Sequence, residues 1–205
     1  MLLEIIPATP ADGTELTEIF YAAFGGEFNR KMFPETPDVT VWWEQIFHDS
    51  ITRSIAGRTN EVFLKVVDSD QDAIVAFAKW KCPTSAGRDR HEPEESAVWA
   101  PSCDGKLCDR FFGGMEELKG KWMGDRPHYY LDMLAVHPSH QGRGLASKLL
   151  KWGLARADDE GVEVYLSSSP EGKPVYEKYG FRDLESFSPY PDYVQVCMLR
   201  PIKGQ

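Results

Sequence analysis

The order of apolar and polar positions predicts an alternation of strands and helices. Leu2 to Ile6 is a short apolar run ended by Pro7, and Leu16, Ile19, Phe20 and Ala23 then recur at helical spacing up to Phe24. Gly25-Gly26 stops that helix, Pro34 and Pro37 keep the following stretch irregular, and Trp42 to Phe47 resume a helical pattern toward Ser54. Val62–Val67 and Ala73–Trp80 are β-rich runs joined by the acidic turn Asp68-Ser69-Asp70-Gln71-Asp72, which predicts a hairpin. Residues 82–127 show no strand alternation, only Pro-rich acidic text and then a helical stretch from about Leu107 to Met123.

From Tyr129 the pattern sharpens. Tyr129–Val136 reads as a strand, His137 to Gly144 as a loop, and about Leu145 to Asp159 as a helix with Ala146, Leu149, Leu150, Gly153, Leu154 and Ala157 on one stripe. Gly161 suits the C-terminal cap. Val162–Leu166 is the next strand, Ser169-Pro170 opens a short helix ending at Gly180, and Tyr193–Leu199 alternates as a terminal strand.

Composition narrows the class. The 205 residues suffice for one sizeable core, and no Pro/Gly/Ser-rich or single-charge stretch is long enough for a linker, so residues 1–205 are expected to form a single domain. With 23 basic against 32 acidic residues and a pI near 5.1, no global basic field draws the chain to nucleic acid or to an anionic membrane. The N-terminus lacks a basic region followed by an apolar core, and no apolar run approaches the ~20 residues of a membrane helix, so a cytoplasmic location is expected. Four scattered cysteines without a Cys-x-x-Cys pair suggest reduced thiols. Cys82, His91, Cys103 and Cys108 share one region, but their spacing is too loose to imply zinc, and no metal is expected.

The informative segment is the strand running into Gln141-Gly142-Arg143-Gly144-Leu145-Ala146 and a helix. Such a loop offers successive backbone N–H groups and a positive helix end to one anionic group, with glycines allowing close approach and Arg143 adding charge. It is neither Gly-x-Gly-x-x-Gly nor a Gly-Lys-Ser/Thr loop. Gln-x-x-Gly-x-Ala after a strand ending Leu-Ala-Val-x-Pro resembles the acetyl-CoA signature of the GNAT superfamily of N-acetyltransferases. Val175-Tyr176-Glu177-Lys178-Tyr179-Gly180-Phe181 resembles that superfamily's downstream Tyr-Glu-Lys-x-Gly-Phe motif.

The resemblance implies an α/β fold with a mixed, twisted central sheet flanked by helices, whose fourth and fifth strands splay apart to admit pantetheine. Here those strands are Tyr129–Val136 and Val162–Leu166. It implies acetyl-CoA as cosubstrate, with backbone groups of Leu134, Ala135 and Val136 pairing with the pantetheine amides. The amides of Gln141, Gly142, Arg143, Gly144, Leu145, Ala146 and Ser147 would hold the pyrophosphate, and the Leu134 N–H would face the thioester oxygen. Where the family often has Asn-x-x-Ala-x-x-x-Tyr, this chain has Ser169 and Gly172, which puts the usual asparagine contact to the cofactor in doubt; Ser169 is retained as a candidate contact or helix cap. The segment 82–127 replaces a short connection in many relatives and is expected to elaborate the acceptor side.

Acetyl transfer to an amine needs a neutral nucleophile, a route for its proton and a proton for the departing thiolate. Tyr176 matches the family tyrosine that protonates the thiolate. Tyr130 and Asp132 share a strand face just before Leu134, so Asp132 is the candidate base, directly or through water, or a counter-charge for the substrate ammonium. His128 is the runner-up, and His137 and His140 read as surface or turn residues. Asp38, Glu44, Glu94 and Glu95 could attract a cation, and Trp42, Trp43, Phe111 and Trp122 could line an apolar pocket, although core packing accounts for them equally. The expected function is direct acetyl transfer in a ternary complex to a primary amine, a small molecule first, by a monomer or homodimer that binds neither nucleic acid nor membrane. The alternatives are an acyl-CoA-binding sensor or structural module without turnover, and a peptide or protein N-acetyltransferase.

Overall fold

The computed structural model describes residues 3–83 and 98–204. Seven strands form one sheet in the order β1-β2-β3-β4-β5-β7-β6. They are β1 (Leu3–Pro7), β2 (Glu61–Asp68), β3 (Ala73–Lys81), β4 (His128–Val136), β5 (Glu163–Ser168), β6 (Arg182–Tyr190) and β7 (Tyr193–Arg200). Every neighbouring pair is antiparallel except β4 and β5, which run parallel. A parallel pair needs a crossover, and a helix supplies it here.

That crossover is α5 (Leu145–Glu160), whose buried positions Leu145, Leu149, Leu150, Gly153, Leu154 and Ala157 form the predicted stripe except for Ala146, which is half-buried. They pack with Leu64, Ala78, Trp80, Leu131 and Val164 on one sheet face. The opposite face is covered by α1 (Gly13–Ala23), α2 (Glu27–Met32), α3 (Pro37–Ile55) and α4 (Gly105–Met123). Stripes at helical spacing explain these helices: Leu16, Ile19 and Phe20 in α1, and Val39, Trp43, Phe47 and Ile51 in α3. In α4, Asp104 accepts the Leu107 N–H at 3.1 Å as N-cap.

Three features differ from the sequence expectation. The stretch kept irregular by its prolines holds the six-residue α2, which buries Phe28 and Met32, and α3 begins at Pro37 rather than near Trp42 because proline suits the first helical turn. β6 escaped the hydrophobic reading because it is an edge strand whose single buried position is Pro189. The last short helix, α6 (Lys173–Glu177), starts after a turn that Ser169 caps by accepting the Gly172 N–H at 3.3 Å.

The aromatic residues singled out in sequence are mostly structural. Trp43 and Phe111 are buried, Trp42 donates to the Val98 carbonyl at 2.9 Å, and Trp122 donates to Glu185 at 2.9 Å. Asp38 anchors the chain ahead of α4 by accepting from the Ser102 N–H and hydroxyl at 2.9 and 3.0 Å. Among the described residues no helix is long and apolar enough to cross a membrane, and no group of three or more metal-ligating side chains occurs. His91, Glu94 and Glu95 lie outside the described residues.

Candidate active site

The two central parallel strands pair only from His128 opposite Glu163 to Leu131 opposite Leu166, and then separate. The separation coincides with a bulge. On β4, Leu131 faces Trp80 and Met133 faces Lys79, so Asp132 is an extra residue with no partner on β3. Beyond it, β4 continues along β3 alone as far as Val136.

The hydrogen-bond phase of this edge follows from one contact. The His137 N–H donates to the Val75 carbonyl at 2.9 Å, and antiparallel pairs alternate between bonded and unbonded positions. Ala135 and Met133 therefore belong to the β3–β4 ladder, while the N–H and C=O groups of Leu134 and Val136 turn toward the gap. The expectation that Ala135 offers its backbone to the pantetheine arm is thus corrected by strand alternation. The Gln141 side chain donates to the Val136 carbonyl at 3.2 Å, which fits that phase.

At the far end of β4 a 3₁₀ turn, Pro138–His140, leads into the glycine loop. Gly142 and Gly144 have φ of +74° and +77°, the left-handed region that glycine occupies without strain. Gly144 is the N-cap of α5 and no side chain caps that end, so the first-turn N–H groups of Leu145, Ala146 and Ser147 face outward without partners from the helix. The Gln141 N–H is already given to the Pro138 carbonyl at 3.3 Å. The run of N–H groups that could meet an anion therefore starts at Gly142, next to exposed Arg143.

Across the gap stands α6 with Tyr176. A methyl group on Gly172 would approach the Tyr176 ring to 3.1 Å and Ser168 Oγ to 3.2 Å, so the ring lies against the end of β5. This closeness explains glycine where the family pattern has alanine. Tyr176 packs edge-on to Phe181 at 5.8 Å, and burial pushes its phenol well above the ordinary tyrosine value. At neutral pH it is an intact O–H.

Asp132 sits in a charged cluster that the sequence reading missed. Its carboxylate lies 2.9 Å from Lys79 Nζ and 3.9 Å from Lys81 Nζ, and Lys79 also meets Glu61 at 2.8 Å. Burial by itself would raise the Asp132 pKa, but the charge of Lys79, then that of Lys81, outweighs it and holds the carboxyl far below the usual range. The signal was present in β3, where Lys79 and Lys81 interrupt an otherwise apolar strand. His128 stands at the paired end of β4, bonded to the Arg126 carbonyl at 2.7 Å and away from the gap. His140, expected at the surface, is 4% exposed.

Residues 112–188 match the family described as Acetyltransferase (GNAT) domain. An uncharacterised N-acetyltransferase of Schizosaccharomyces pombe is 27% identical over 117 residues, covering 53% of this chain and 47% of the relative. The uncharacterised N-acetyltransferase YafP of Escherichia coli is 38% identical over 60 residues, covering 29% and 37%. The matches thus span about half or less of these relatives. Among solved structures, the Drosophila melanogaster polyamine N-acetyltransferase, which forms N-acetylagmatine, superposes with a TM-score of 0.66 at 15% identity, covering 97% of this chain and 98% of that one. The PaiA N-acetyltransferase of Thermoplasma acidophilum in complex with coenzyme A gives 0.58 at 14% identity, covering 98% and 99%. Residues 112–188 thus match a GNAT acetyltransferase domain, and the fold that surrounds them is similar to those of solved N-acetyltransferases.

Proposed function

We propose that the protein transfers an acetyl group from acetyl-CoA to a primary amine, most simply that of a small molecule, by direct attack in a ternary complex. The observation that carries this reading is the gap beyond Leu131 and Leu166, bordered by the free edge of β4, the uncapped start of α5 and the phenol of Tyr176. Acetyl-CoA carries amides, a pyrophosphate and a thioester in one chain. The gap-facing groups of Leu134 and Val136 suit the amides, and the N–H groups from Gly142 to Ser147 suit the pyrophosphate. The small-amine acceptor draws support from the polyamine acetylation performed by the Drosophila structural neighbour.

In this mechanism the amine nitrogen attacks the thioester carbonyl, forming the C–N bond, and the carbon–sulfur bond then breaks. The Leu134 N–H is a fixed dipole for the oxyanion, a contribution of about 3 kcal/mol for a well-aligned donor. Tyr176 gives its proton to the departing thiolate, and the proton lost from the attacking nitrogen returns through solvent to the Tyr176 phenolate, so that the products are the amide and the coenzyme A thiol. The strong stabilisation of the Asp132 anion by Lys79 favours the counter-charge role over the base role, because a carboxylate so acidic takes protons poorly.

Calorimetric titration with acetyl-CoA, NAD and ATP tests the cofactor. Selective 1:1 binding of acetyl-CoA is expected, and no binding of acetyl-CoA would sink the assignment. Tyr176→Phe is expected to keep that affinity and to lose about 10²–10⁴ in the rate of thiol release across a panel of primary amines. Unchanged release would remove the tyrosine from the chemistry.

A further inference from the structure

The glycine loop has a definite shape, yet four consecutive residues, Gln141 to Gly144, are exposed, and the Gln141 side chain ties the loop back to the Val136 carbonyl of β4 at 3.2 Å. Its two flanks are different. Leu145, after it, is 1% exposed in the core beneath α5. His140, before it, is a buried polar side chain, and its partner is more deeply buried still: Asp68, at the end of β2, has no exposed surface.

His140 Nε2 lies 3.3 Å from Asp68 Oδ2. In this pair the imidazole N–H is the donor and the carboxylate oxygen the acceptor. The other Asp68 oxygen accepts the Asp70 N–H at 3.1 Å, which fixes the carboxylate to the β2–β3 turn. On the far side of the ring, Nδ1 lies 2.8 Å from Ser139 Oγ, and the same hydroxyl lies 2.7 Å from His137 Nδ1. His137 is itself tied to β3 through its N–H. A chain of side chains therefore runs from the start of the loop to a hairpin two strands away, and its His140–Asp68 step is buried, where the loss of a bond is costly.

From this arrangement we infer that His140 is a positioning residue for the pyrophosphate-binding loop. Its bond to Asp68 fixes where the loop leaves the sheet, and so fixes the N–H groups of Gly142 to Ser147 relative to the free edge of β4. His140 does not touch the ligand. The inference rests on the proposed acetyl-CoA reading of that loop, and it adds an energetic link between the β2–β3 turn and cofactor affinity.

The test compares coenzyme A with S-acetyl-pantetheine, which keeps the thioester and amides but lacks the pyrophosphate. In His140→Leu, coenzyme A binding measured by calorimetry is expected to weaken about tenfold or more, the equivalent of 1.4 kcal/mol. Binding of S-acetyl-pantetheine, followed by NMR titration, is expected to stay within about twofold of wild type by the same conversion. His140→Gln, whose amide N–H can reach Asp68, should recover most of the loss. Asp68→Asn, which keeps an oxygen for the imidazole N–H but no charge, should show a smaller loss for coenzyme A alone, and it carries the test if His140→Leu does not fold. Equal weakening of both ligands, or full coenzyme A affinity in a folded His140→Leu or Asp68→Asn chain, would overturn the positioning role. A wild-type chain that binds no coenzyme A would instead overturn the function on which it rests.

Discussion

Residue identity matters most in the loop ahead of α5. Gly142 and Gly144 are held at positive φ, and a Cβ added at either would meet nothing within 4 Å, so in the protein alone the demand is conformational rather than steric. Gly144→Val puts a β-branched residue where the left-handed backbone costs about 1–3 kcal/mol, and adds bulk at that loop. Acetyl-CoA affinity is expected to fall about tenfold or more in calorimetry by that cost, while Gly144→Asn, which tolerates this region, loses less. This requirement was legible in the sequence because glycine spacing is a local property. The environment of Asp132 was not: its neighbours Lys79 and Lys81 lie some fifty residues away in the chain and reach it only through the β3–β4 register. The local spacing Tyr130-Leu131-Asp132 suggested a base, and the cross-strand lysines argue for a stabilised anion.

At the scale of elements, α5 links the glycine loop to the core, and at Gly153 it lies close against the sheet. A Cβ there would come within 2.5 Å of the fully buried Trp80 ring. Gly153→Ala gains about 1 kcal/mol of helix propensity but overpacks a rigid site, a cost of about 1–3 kcal/mol that rises with the size of the clash. A lower melting temperature and weaker acetyl-CoA binding are both expected, the second because a displaced α5 carries its N-terminus with it; a melting temperature above wild type would show that Trp80 yields freely. α5 itself was readable from its stripe and its C-terminal glycine, which has φ of +66° at Gly161. α2 and β6 were not readable, because one is a single buried pair between loops and the other an edge strand whose alternation is mostly solvent-facing. Both owe their order to tertiary contacts, such as the stacking of Phe28 on Tyr193 at 3.9 Å.

For the whole molecule, the Glu61–Lys79–Asp132 cluster joins three strands at the point where the sheet begins to split. Asp132 titrates below its unfolded value, so its share of stability is present above about pH 4 and is lost as pH falls through the lower folded pKa. Lys79 titrates above its unfolded value despite burial, because the charges of Asp132 and Glu61 outweigh desolvation; its share is complete below about pH 10 and is lost as pH rises through the higher folded pKa. The cluster's contribution is therefore flat from about pH 5 to 9. Lys79→Met leaves the Asp132 carboxylate without its nearest cation and is expected to cost about 3 kcal/mol at neutral pH. Denaturant melts should show this deficit narrowing in acid, where protonation removes the uncompensated charge; a deficit independent of pH down to about pH 3 would assign the loss to packing alone.

The sequence by itself determined the strand–loop–helix with its two glycines, the tyrosine motif that follows it and the main alternation of strands and helices. All of these are local in the chain, written in spacing, glycine placement and hydrophobic period. Only the tertiary structure decided that Leu134 and Val136 rather than Ala135 turn toward the gap, that Asp132 is clamped by lysines of β3, and that His140 is buried against Asp68. Those facts depend on strand register, a one-residue bulge and contacts across the sheet. No local pattern encodes them, because a shift of one residue in pairing would reverse which groups meet.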